Sequence, residues 1–284
     1  MSVNYYHDTR DAGFTTFGWN ASKKQIVRLA DAGRRLLSGF ENELSFEDVY
    51  YGDADEDEIA DEFTDVIGDY IGTEHDSSVD YGFECVSQPM TLTAHIESDW
   101  IDKLCELAQN RNAVEGRNGL HVHISRAGLG RTVAAQDLAI AKMMLMLERF
   151  ENKYISLARR DYVRSGWAYR VEVADHARHS DSLVEAAKDS GDDRYHSINI
   201  TNRDTVEFRI FASTTNPDTL KATLELVNAT ATYCMTRTLN QVRDGSWDDF
   251  AAYCVGSKYK YLPKYMLRRG VLPSNLAATV NVAA

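Results

Sequence analysis

No lysine or arginine occurs between Arg35 and Lys103, a gap in which aspartate and glutamate are dense. With a net charge of −12 for the whole chain, this argues against non-specific nucleic-acid binding, which needs cationic surface to displace counterions. Long apolar runs are missing as well: none approaches the roughly 20 residues that span a bilayer. Residues 1–10 are polar and lack an apolar signal core, so the expectation is a cytoplasmic protein with neither export nor a membrane partner. The cysteines are few and far apart. Cys85, Cys105, Cys234 and Cys254 form no CxxC pair, which excludes a disulfide framework or zinc cluster and leaves reduced, structural thiols. There is no repeat, no low-complexity linker and no proline-rich hinge. Also absent are the G-x-x-x-x-G-K-S/T loop and the glycine-rich Rossmann turn, so nucleotide binding by those two routes is excluded.

What is present is an ordinary globular composition, 44% hydrophobic and 26% charged, long enough to bury a large core as one domain or two. Ser22 and Gly33 predict a helix over 22–32. Residues 35–47 alternate: Phe40, Asn42, Leu44 and Phe46 fall on one face, Glu41, Glu43, Ser45 and Glu47 on the other, which is a strand. A helix is expected over 58–70 with Ile59, Phe63, Val66, Ile67 and Tyr70 on one stripe. Further expectations are a strand over 81–87, a helix over 100–110 capped by Asp99, a strand over 120–125 and a long helix from Thr132. A strand over 170–173 and a helix over 182–188 follow. Two β-runs, 195–202 and 205–211, are joined by the turn Asn202-Arg203-Asp204. Pro217 opens a helix to about residue 239, and the tail beyond Trp247 mixes short helix and loop. Strands with tight turns and helices between them predict an α+β fold with a mostly antiparallel sheet.

The acidic run 53–58 reads as a solvated loop or helix start, and 53–65 as a candidate lid or substrate loop. The basic, aromatic stretch Lys258-Tyr259-Lys260-Tyr261, Lys264-Tyr265 and Arg268-Arg269 is suited to phosphates or to an acidic segment of the same fold, and an ordinary surface patch is the simpler reading.

Side chains at i and i+2 of a strand share a face. Glu41 and Glu43 therefore project together, as do His121 and His123, and Glu207 and Arg209, with Val206, Phe208 and Ile210 on the core side. Each pair has a plain structural reading: solvated carboxylates, a structural His-x-His, a same-face ion pair worth little. Their conjunction is harder to dismiss. So many carboxylates on one face would repel one another unless cations neutralise them.

Five segments in order carry a resemblance: Gly39-Phe40-Glu41-Asn42-Glu43; the stretch from Asp76 to Pro89 with Glu84 in it; Gly119-Leu120-His121-Val122-His123; Arg194-Tyr195-His196-Ser197-Ile198-Asn199; and Thr205-Val206-Glu207-Phe208-Arg209. Together they resemble the amidoligase family of the carboxylate–amine ligase superfamily, which includes glutamine synthetase and glutamate–cysteine ligase. The resemblance implies one catalytic domain over 1–284, with an N-terminal extension 1–37, an amidoligase-like core 38–240 and a C-terminal extension 241–284. It implies a glutamine-synthetase-like sheet with one face lined by metal ligands and helices on the other.

The implied reaction is ATP-dependent formation of an amide or peptide bond through an acyl phosphate, from small-molecule or peptide carboxylates and amines, with Mg²⁺ or Mn²⁺. Glu43, Asp76 and Glu84 would hold one ion, and Glu41, His121 and Glu207 another. Arg209 would stabilise the transferring phosphoryl group, His123 would bond a nucleotide phosphate, and Arg194 a phosphate or substrate carboxylate. By analogy with glutamine synthetases, a homo-oligomer is a further expectation. The rival readings are a zinc hydrolase using His121 and His123 and a non-catalytic relative serving as a binding module. The hard-ligand excess favours Mg²⁺ or Mn²⁺ over zinc.

Overall fold

Alternation along nine residues, Leu37–Ser45, produces the central strand of the site-bearing sheet. The computed structural model describes residues 4–5, 14–161, 168–190, 194–257 and 259–281. The fold is α+β with a largely antiparallel, open sheet. In chain order the strands are β1 (Asn4–Tyr5), β2 (Phe17–Asn20), β3 (Gln25–Arg28), β4 (Leu37–Ser45), β5 (Ile71–His75), β6 (Gly82–Ser87), β7 (Met90–Thr91), β8 (Gly119–Ser125), β9 (Ile198–Asn199) and β10 (Thr205–Ala212). The chain divides into two compact units, one of 1–32, 37–122 and 212–220, the other of 33–36, 123–211 and 221–284.

In the first unit the strand order is β1-β5-β6-β4-β7-β2-β3, and β8, which belongs to this unit up to Val122, also pairs with β4. The pairs β4–β6, β5–β6, β4–β7 and β2–β3 are antiparallel; β1–β5 and β2–β7 are parallel. One face of β4 is the core. Phe40 stacks on Trp100 of the helix Trp100–Asn110 at 5.6 Å, and Phe46 meets Phe63 of the helix Glu56–Ile67 edge-on at 5.9 Å. Asn42 lies on that same apolar face and is fully buried, which it tolerates because its amide exchanges two hydrogen bonds with the backbone of Thr214. Opposite Ser45, β6 begins at Gly82, where a Cβ would lie 1.9 Å from the Leu44 carbonyl oxygen; only glycine fits.

The second unit is largely helical. Thr132 caps the helix Val133–Arg149 by accepting from the Ala135 N–H, and Ala139 to Leu147 are buried on every side of it. A helical stretch buried on all sides is largely apolar all round, and its methionines fill space. The tail is held by an acid: the Glu225 carboxylate accepts the backbone N–H groups of Lys260, Tyr261 and Leu262 at 2.7–2.9 Å. Those of Tyr261 and Leu262 are at the N-cap and first residue of the helix Leu262–Arg268, where donors have no partner within the helix. The basic stretch thus meets an acidic group of the same fold through its backbone. Lys258 lies outside the described residues.

Several expectations are corrected. Residues 22–32 are no helix: 17–28 form the β2–β3 hairpin, because Asn20 accepts from both the Ser22 hydroxyl and the Lys23 N–H and closes a turn. Val66 is half-exposed, and the helix ends at Ile67, before Tyr70. Most of 53–65 is helix and not loop. Asp55 caps the helix Glu56–Ile67, and Ile59, Ala60 and Phe63 are buried under it. Asp99 is the N-cap residue of the helix Trp100–Asn110 and its carbonyl accepts the Lys103 N–H, but its side chain makes no cap bond and pairs with the Lys103 ammonium at 3.0 Å. Residues 170–173 form no strand, since the N–H groups of Val173 and Ala174 go to the Glu148 carboxylate. The first of the two paired β-runs shrinks to Ile198–Asn199. All four cysteines are buried and unbridged. Among the described residues no helix is long and apolar enough to cross a membrane.

Candidate active site

The register of three neighbouring strands in the first unit sets three carboxylates in a row. Glu84 on β6 is the direct partner of Glu43 on β4 and of Glu74 on β5. Directly opposed residues point to the same face with Cβ atoms about 5 Å apart, and all three are nearly inaccessible, at 8%, 2% and 3% exposure for Glu43, Glu84 and Glu74. Burial, and then the charges of Glu41, Glu43, Asp76 and Glu74, push the Glu84 carboxyl well above the usual carboxylate range. Its Oε2 is buried and has no hydrogen-bond partner among the described residues.

His121, on β8, stands beside the row. Its Nδ1 is 3.4 Å from Glu41 Oε2 and its Nε2 is 3.6 Å from Glu43 Oε1, so both edges of the ring face a carboxylate. Glu43 Oε2 accepts the Gly119 N–H at 2.6 Å, which fixes the carboxylate against β8. A Cβ at Gly119 would lie 2.9 Å from His121 Nε2 and 3.1 and 3.2 Å from the two Glu43 oxygens; the bare backbone is what lets the ring and the carboxylate close on each other. One ligand atom each from Glu41, Glu84 and His121 lie within 4.8 Å of one another. An orphaned buried oxygen, clustered carboxylates and one imidazole fit a hard divalent cation. Asp76 follows β5, where its side chain accepts the Ser78 N–H at 2.7 Å to close the turn towards β6, and its charge acts on Glu84.

The second unit builds a different cluster on the β9–β10 hairpin. Glu207 is paired across the ladder with Asn199. Its Oε2 accepts from Asn199 Nδ2 at 2.7 Å and from Asn202 Nδ2 at 3.3 Å, and its Oε1 accepts from Arg209. Asn199 is itself held, since its Oδ1 accepts from the backbone N–H and hydroxyl of Thr201. Arg126 braces the loop by donating to the carbonyls of Ile200, Asn202 and Thr205. The result is a buried carboxylate in a fixed orientation with a guanidinium beside it. His123 places Nδ1 3.4 Å from the Thr205 hydroxyl. Arg194 is exposed, with its guanidinium over the Tyr195 ring at 5.4 Å.

Within the first unit, then, Glu41, Glu43, Glu84 and His121 come together with Asp76 at their margin; within the second, Glu207, Arg209 and His123 occupy β10 and β8. Glu74 was not foreseen. Its strand follows the helical stretch ending at Tyr70, which hid the alternation Ile71-Gly72-Thr73-Glu74-His75. Within 194–199, Asn199 reaches Glu207.

A comparison with protein families bears on this arrangement. A family model described as "Putative amidoligase enzyme" matches residues 47–231, a span that includes Asp76, Glu84, His121, His123, Arg194, Glu207 and Arg209 and begins just after Glu41 and Glu43. No curated protein matches the chain. The matched span is well over half of the 284 residues, and the chain belongs to this amidoligase family.

Proposed function

We propose that the chain is an ATP-dependent carboxylate–amine ligase that forms an amide or peptide bond through an acyl phosphate. The observation that carries this reading is Glu84: a buried carboxylate flanked by Glu43 and Glu74, close to Glu41 and His121, with one oxygen unpartnered among the described residues. Such a group is costly to keep charged in the apo protein and is suited to a cation. Membership of the amidoligase family supports the reaction class.

In this reading Glu41, Glu43, Asp76, Glu84 and His121 hold Mg²⁺ or Mn²⁺ in the first unit, and within the second unit Glu207 is a metal ligand on β10. The cation would neutralise charge between the β- and γ-phosphates of ATP and polarise phosphate oxygens. A carboxylate is a poor electrophile at neutral pH. Its oxygen attacks the γ-phosphorus, ADP leaves, and the acyl phosphate carries a good leaving group. Arg209, held by Glu207, offsets the charge that develops on the transferring phosphoryl group. His123 bonds a nucleotide phosphate, and Arg194 binds a phosphate or the substrate carboxylate. The amine then attacks the carbonyl carbon, phosphate departs with the former carboxylate oxygen, and the nitrogen loses a proton. Glu207 cannot act as a mobile base while Asn199, Asn202 and Arg209 occupy its oxygens; its part is orientation and charge.

The test is ADP release from Mg·ATP, screened against pools of carboxylates and amines, with Glu207→Ala and Arg209→Ala as controls. The expected result is ADP formation that requires both co-substrates and is lost in both variants, with the fold retained by circular dichroism. Hydrolysis with zinc and without ATP would establish the rival hydrolase instead.

A further inference from the structure

We propose that Glu74 is an additional cation-binding residue, contributed by β5 and assigned by neither the motifs nor the family match. The proposal rests on the cation reading of Glu84 given above. Three adjacent strands bring Glu43, Glu84 and Glu74 into one cross-strand row. Because directly paired residues project to the same face, Glu74 flanks Glu84 on the side away from Glu43, Glu41 and His121. It is 3% exposed, so its charge is screened little by solvent. Like charges directly opposed in a ladder destabilise it unless a cation offsets them. Glu84, between the two, is nine-tenths buried and has Oε2 unpartnered among the described residues. A cation bound at Glu84 therefore has a carboxylate on both sides along the row, and Glu74 supplies the outer one.

The experiment is Mn²⁺ titration of the full chain by calorimetry, without nucleotide. It compares the wild type with Glu74→Gln, Glu74→Asp and, as a control for losing one negative charge, the exposed Asp53→Asn. Removing a supporting group of a metal site costs about 10- to 100-fold in affinity. The expected result is a drop of that size for Glu74→Gln, affinity within a few-fold of wild type for Glu74→Asp, and no change for Asp53→Asn. Thermal melting without metal reports whether each variant is folded. Wild-type affinity in a folded Glu74→Gln overturns this proposal and leaves the cation site intact. A wild type that binds no Mn²⁺ overturns the cation site itself, and this proposal with it. An equal loss in Asp53→Asn also overturns it, because the effect would then be one of net charge alone.

Discussion

Glu43 and Glu84 face each other directly across the β4–β6 ladder, and they differ in their partners: Glu43 receives the Gly119 N–H, while Glu84 Oε2 has no hydrogen-bond partner among the described residues. Two buried carboxylates in one cross-strand pair oppose folding unless something positive lies between them. Glu84→Gln removes one charge and keeps the shape. It is expected to raise the metal-free melting temperature by about 2–4 °C, equivalent to roughly 1 kcal/mol for a chain of this size, and to abolish the further rise that Mg²⁺ or Mn²⁺ gives the wild type. Differential scanning calorimetry with and without the ion checks both. A lower metal-free melting temperature would mean that Glu84 is structurally satisfied.

Gly119 separates packing from charge. Ala at this position pushes a methyl group to within 2.9 Å of His121 Nε2 while leaving every ionisable group in place. Overpacking of this kind costs about 1–3 kcal/mol, and the His121 ring or the Glu43 carboxylate must shift. Gly119→Ala is expected to weaken Mn²⁺ binding at least as clearly as it lowers stability. Unchanged Mn²⁺ affinity would show that neither group contacts the ion.

Asn199 gives a test in the second unit. Its Nδ2 donates to Glu207 at 2.7 Å, and a hydrogen bond to a charged group contributes about 1.5–3 kcal/mol. Asn199→Ala should therefore lower kcat/KM by about 10- to 100-fold. Asn199→Asp, which sets a second carboxylate against Glu207, should lower it further. Steady-state kinetics decide. If kcat/KM in Asn199→Ala stays at the wild-type value, the orientation of Glu207 has no part in the reaction.

His95 predicts an acid limit on stability away from the site. Its Nε2 meets the Ser38 carbonyl oxygen at 2.9 Å in a fully buried setting against Phe40 and Trp100, and burial pulls its pKa from 6.5 to about 4. The folded pKa lies below the unfolded one, so between these values the unfolded chain binds more protons. The contribution is present above pH 6.5 and is lost as pH falls towards 4. The loss is on the order of 3 kcal/mol. Urea melts across this range should show the fall in the wild type and a flatter profile in His95→Gln.

Much of the site was legible because strands impose a period of two. Once 37–45 alternated, Glu41 and Glu43 had to share a face; the same rule joined Glu207 to Arg209. What the sequence could not supply was register. Nothing in the order of residues says that Glu84 stands opposite both Glu43 and Glu74, since that depends on how β4, β5 and β6 slide past one another. Local hydrogen bonds defeated other expectations. Ser22 had the composition of a helix cap, but Asn20 captured the turn first. Residues 170–173 had strand-like alternation, but Glu148 took the backbone donors that a ladder would have used. The contact of the neutral Asn199 with Glu207 also depends on register, and an amide satisfies a buried carboxylate without adding a charge to the core.

The most direct measurement follows a labelled oxygen. A carboxylate substrate found by the ADP-release screen is enriched with heavy oxygen, incubated with the enzyme, Mg·ATP and the amine, and the released phosphate is analysed by mass spectrometry. An acyl-phosphate ligase transfers one labelled oxygen from the carboxylate to each phosphate formed, in step with amide and ADP. Unlabelled phosphate alongside amide formation would contradict the account.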